Sequence, residues 1–101
     1  MGSSSEILTP TILNVTLTTQ STEYSQALPA GCKHFSMRER SGAIDVLFAF
    51  KSGQVATSGV YATVKSGTAY TSPEKLCMVS PANIYLASGT NSTVVEIVAW
   101  V

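Results

Sequence analysis

Apolar and polar residues alternate along much of this chain with a period of two, the signature of half-buried strands. From Thr11 to Thr18, Leu13, Val15 and Leu17 share one side while Asn14, Thr16 and Thr18 take the other. Pro10 favours an edge position or a connection, because it offers no N–H to a ladder. A short strand, Tyr24 to Leu28, runs into Leu28-Pro29-Ala30-Gly31, where Pro presets the first corner of a turn and Gly accepts positive φ. Cys32 to Arg40 follows as a strand with Phe35 and Met37 inward and His34, Ser36, Arg38 and Arg40 on a polar, basic side. Ser41-Gly42 predicts a tight hairpin into Ala43 to Phe50, with Ile44, Val46, Phe48 and Phe50 on one face and Asp45, Leu47 and Ala49 on the other.

Beyond a Ser/Gly loop from Lys51 to Gly59, Val60 to Lys65 predicts another strand, turned at Ser66-Gly67 toward an extended piece at Ala69 to Thr71. Ser72-Pro73-Glu74 has the residue order that opens a helical turn. Asn83 to Ala87 reads as a strand with Ile84 and Leu86 inward. The last run, Ser92 to Val101, is apolar on both alternating faces, so it needs cover on two sides and predicts the centre of a sheet. About eight short strands with turns every ten residues or so describe an all-β domain: a jelly-roll-like β-sandwich or a small barrel.

Composition supports one domain. A chain of 101 residues buries roughly two-thirds of its unfolded surface. With 45% hydrophobic residues it can build a core without metal or disulfide staples. Residues 1–10 read as a flexible arm and 11–101 as the sandwich. Only 12% of residues are charged, and Ser and Thr supply the missing polarity, which suits pleated surfaces. Six acidic and six basic residues cancel. Nothing here forms the basic footprint of a nucleic-acid binder, and zero net charge favours self-association. No apolar run is long enough for a membrane helix, and Met1 to Ser5 lacks the features of a signal peptide, so synthesis in a reducing cytoplasm is expected. Cys32 and Cys77 stand apart; two buried free thiols are favoured over a disulfide, and one His with two thiols cannot complete a metal shell.

Candidate chemistry is sparse. His34 is the sole imidazole and has no nucleophile elbow to serve, so its plainer reading is a half-exposed strand residue. No pair of carboxylates lies in a recognisable hydrolytic context. Glu96 stands between valines on the terminal strand, where it must pair with a cation, shift its pKa, or face solvent or a neighbouring subunit. Arg38 and Arg40 point the same way as His34 and form a row able to grip an anion or rim a protein contact. Tyr61, Tyr70, Tyr85 and Trp100 suggest a sugar-stacking platform, but Tyr61 and Tyr85 serve equally well as interface anchors, and a single Asp leaves little support for a glycan ring.

The run Tyr24 to Phe35 (YSQALPAGCKHF) resembles a group of small virion proteins encoded among the structural genes of tailed bacteriophages. Their pattern continues in a strand like Ile44 to Phe50, in the Gly59 to Gly67 segment GVYATVKSG, and in an ending like Asn83 to Leu86 followed by Val94 to Trp100. The similarity spans roughly Tyr24 to Val101 and rests on structural rather than catalytic motifs. It implies a non-enzymatic building block of the virion without cofactors, such as a capsid decoration or cement protein. Its expected partners are the major capsid protein, other virion proteins and further copies of itself. A neck or head-fibre component, or a carbohydrate-binding module, is the alternative. Candidate interface residues are Tyr61, Tyr85, Arg38, Arg40 and Glu96.

Overall fold

The computed structural model describes residues 10–55, 59–72 and 83–100. The chain is all-β, with β1 (Pro10–Leu17), β2 (Tyr24–Ala27), β3 (His34–Glu39), β4 (Val46–Ala49), β5 (Ala62–Val64), β6 (Ala69–Thr71), β7 (Asn83–Ser88) and β8 (Thr93–Trp100). Two antiparallel four-stranded sheets form. The first has the order β1-β8-β3-β6 and the second β2-β7-β4-β5. Pairings β1–β8, β2–β7, β3–β6 and β4–β5 make the chain a long two-stranded ribbon bent over into two layers. The expected helical turn beyond Ser72, the arm at residues 1–9, Cys77 and Val101 lie outside the described residues. Pro10 already belongs to β1, so the strand begins one residue before the expected domain boundary.

The core lies between the layers and follows the predicted alternation. Val15, Leu17, Phe35, Met37, Val95, Ile97 and Ala99 of the first sheet meet Val46, Phe48, Val64, Ile84 and Leu86 of the second. Phe48 and Tyr70 bridge the layers with ring centroids 4.8 Å apart, and Phe35 packs on Tyr70 at 5.8 Å. β8 sits between β1 and β3, the central place its two apolar faces predict.

One expectation fails. The Ser41-Gly42 turn does not close a hairpin, since β3 belongs to the first sheet and β4 to the second. The chain leaves one layer there and enters the other. A turn signature encodes a change of direction, while the partner of the next strand is set by what its apolar face can cover. Phe50, expected inward, is 48% exposed. It lies just past the end of β4, and its ring still turns toward the core, edge-on to Phe48 at 5.8 Å and Phe35 at 6.5 Å.

Carboxylates hold the connections between layers. Glu39 shares the inward parity of Phe35 and Met37 and is buried. Its Oε1 accepts from the Ser41 hydroxyl at 2.6 Å and from the N–H groups of Gly42, Ala43 and Ile44 at 2.9, 3.2 and 3.3 Å. Oε2 accepts from the Ser41 N–H at 2.9 Å. Burial pushes this carboxyl's pKa up, but the Ser41 hydroxyl and the backbone donors outweigh it and hold it below the ordinary value. Asp45 performs the parallel task for the β5–β6 turn, accepting from Ser66 N–H at 2.7 Å and from Lys65 Nζ at 3.3 Å. The two turns touch: a Cβ on Gly67, whose φ is +77°, would lie 3.6 Å from the Gly42 carbonyl oxygen. Ser72, the last described residue before the expected helical turn, binds Phe35 across the sheet. Its hydroxyl accepts from Phe35 N–H at 2.7 Å and its own N–H donates to the Phe35 carbonyl at 2.8 Å.

Candidate interaction surfaces

The outward face of the first sheet carries the polar row and most of its apolar neighbours. Register places His34 beside Trp100, Ser36 beside Val98 and Arg38 beside Glu96 on adjacent strands. Glu96 is the carboxylate that bridges the row. Arg38 Nε lies 3.2 Å from Oε1 and Arg40 Nε 2.8 Å from Oε2. Hydrogen bonds from Arg40 and then Arg38 hold the Glu96 pKa below the ordinary carboxylate range. Glu96 thus pairs with two cations, and that pairing is what shifts its pKa. The arginine row is therefore a cross-strand lattice, with two guanidinium charges against one carboxylate.

His34 stacks flat on Trp100, centroids 4.5 Å apart and planes 5° from parallel. Among the described residues no carboxylate is hydrogen bonded to it. Val94, Val98 and Trp100 are half-buried on this face, and Ile12 on the neighbouring β1 is 68% exposed. An apolar stripe thus flanks the charged lattice.

The second sheet presents a different surface. Its outward residues Ala49 and Ala87 are buried beneath Val55, with Leu47 and Tyr85 packed around them. Residues 50–55 fold back so that Val55 covers part of that face. At the rim of this cover stand Phe50, Val60 and Tyr61, the last two 61% and 45% exposed. They line a shallow trough of about 290 Å³ with Phe48, Ala49 and Ala62. Tyr61 also borders a second depression of about 360 Å³ with Leu47, Val55 and Ala87.

The five candidate interface residues therefore fall on two surfaces. Arg38, Arg40 and Glu96 are joined on the first sheet, while Tyr61 and Tyr85 lie on the second. The four rings considered for sugar stacking do not share a platform. Tyr70 packs with Phe35 and Phe48, Trp100 is taken by His34, and Tyr85 is packed under the second sheet's cover. Sequence reasoning missed Ile12 and Phe50 as surface apolar groups. Ile12 was legible, because it lies out of phase with Leu13, Val15 and Leu17. Cys32 is a half-buried free thiol whose pKa is raised by burial.

No family model, curated protein or solved structure matches this chain.

Proposed function

We propose that this chain is a non-enzymatic structural protein of a tailed-bacteriophage virion, a decoration or cement protein that reinforces the head by binding capsid subunits. The observation that carries the reading is the contiguous apolar surface of Phe50, Val60 and Tyr61 beside a shallow trough. Large exposed apolar groups grouped in this way suit contact with another protein. The folded-ribbon strand order supports it as well, since two-layer antiparallel folds with such an order recur in viral shell domains. That second support is fold-level analogy and adds less than the surface does.

A cement protein works by linkage. It binds assembled subunits and not their separated forms, and so shifts the assembly equilibrium toward the shell. Contacts of about 800 Å² per partner, repeated over many sites, reinforce without a tight single contact. Tyr61 supplies a rigid amphipathic ring at low entropic cost, with Phe50 and Val60 as apolar neighbours. Placement in a neck or head fibre would use the same surface against a different partner.

Protein profiling of purified particles from the source of this sequence tests the reading. Many copies per particle are expected, and Tyr61→Ala should lower occupancy while the fold persists. Absence of the chain from particles would overturn it. Saturable glycan binding lost in Tyr61→Ala would move the assignment to a carbohydrate-binding module.

A further inference from the structure

We infer that β1 is a pairing edge for a second copy of this chain, joining two first sheets into one continuous antiparallel sheet. The inference does not depend on the virion role. β1 pairs with β8 on one side only, and among the described residues no strand occupies its other side. The remaining edge strands are short: β6 and β5 have three residues each and β2 has four. Short edges offer little template for pairing. β1 has eight residues, PTILNVTL, and carries no charge along its length. It lacks the lysines and inward charges that blunt exposed edges, and its one proline stands at the very start.

The pleat restricts how two copies can meet. Directly opposed residues in an antiparallel pair point to the same face. Inward residues Thr11, Leu13, Val15 and Leu17 must therefore oppose inward residues of the second copy, or each core face would be turned to solvent. Val15 and Leu17 are already buried within one chain, whereas Thr11 and Leu13 are only half-buried. Leu13 packs against the core with one flank still open. A two-fold axis at Leu13 sets it against its own copy and completes that burial. The same register places Ile12 opposite the second copy's Asn14 on the outward face, covering part of the most exposed large apolar side chain described. An uncharged strand suits this partner because a copy brings no like charge to the contact, and the chain as a whole is neutral.

Light-scattering mass across a concentration series, with circular dichroism as the fold control, tests the pairing. The wild-type chain should approach twice its 10.6 kDa mass. Ile12→Lys/Asn14→Lys sets lysine against lysine twice in this register and should give the single-chain mass with an unchanged spectrum. Ile12→Glu/Asn14→Lys sets glutamate against lysine twice, keeps position 14 opposite in charge to Glu96 on β8, and should restore the double mass. Both positions are exposed, so the fold should tolerate either pair of changes. A wild-type mass of one chain at every concentration, or of three chains, would overturn the inference. So would a double-lysine variant that stays paired, or a lysine–glutamate variant that stays single.

Discussion

The outward faces of the two sheets solve one problem in opposite ways. Both sheets contain strands that are apolar on two sides, Val46 to Ala49 in the second and Thr93 to Trp100 in the first. The second sheet is covered by its own chain, with Val55 seated over Ala49 and Ala87. Among the described residues the first sheet has no such cover. Its outward face holds a charged lattice at Glu96, a His34–Trp100 stack, and an apolar stripe that ends in an exposed Ile12. The difference teaches that an apolar outward face is not by itself a sign of an interior. It can be covered from within the chain, as Val55 covers the second sheet, or left open among the described residues, as in the first.

The largest expected effect comes from removing the internal cover. Val55→Asp would place a carboxylate against Ala49 and Ala87 and should cost about 3 kcal/mol or more, read as a lower denaturation midpoint. Val98→Asp, on the half-buried face of the first sheet, should cost under about 1 kcal/mol in the isolated protein. Equal losses at the two sites would erase the contrast between the faces.

Next in size is the pin between the layers. Glu39→Gln keeps the shape but removes the anion that five donors share, and about 1–3 kcal/mol should be lost in urea unfolding. The pH dependence has a definite sign. Glu39, Asp45 and Glu96 all titrate lower in the folded chain than ordinary carboxyls do. The folded state therefore binds fewer protons than the unfolded one in the acid range. The stability from these groups is fully present above the unfolded values, about 3.9 for Asp and about 4.3 for Glu, and is lost as pH falls through the lower folded values. Melting temperatures from neutral to acid pH should drop steeply below that range, and less steeply in Glu39→Gln.

A smaller effect should follow Glu96→Gln, because its arginine partners are mostly solvated. The melting temperature should fall slightly, and the difference from wild type should shrink as salt is added. The smallest change belongs to Ser92, whose φ of +58° is left-handed. Ser92→Gly should stabilise by at most about 1 kcal/mol, since glycine adopts that conformation without a Cβ penalty.

Much of the fold was legible because alternation is a local signal. Leu13, Val15 and Leu17, Phe35 and Met37, and Ile84 and Leu86 all turn to the side that their spacing predicts. The crossing at Ser41-Gly42 was not legible, since two adjoining strands with matched apolar faces fit one sheet or two facing ones equally well. Glu39 shares the parity of Phe35 and Met37, yet a charge reads as exposed until its backbone donors are found. Val55 lies in a Ser/Gly loop with no period of its own, so its place over the second sheet depends on contacts that local sequence does not encode. For the candidate site, the pairing of Arg38 and Arg40 with Glu96 needed the β3–β8 register, which joins residues more than fifty positions apart.

Trp100 is the sole tryptophan and lies on the outward face of the first sheet, so its fluorescence reports on that face alone. The decisive measurement is acrylamide quenching of this residue in the isolated protein, folded and urea-unfolded. The account predicts ready quenching in the folded protein, as an open outward face requires. A folded-state tryptophan shielded from acrylamide would contradict the claim that the chain leaves this face without a cover of its own.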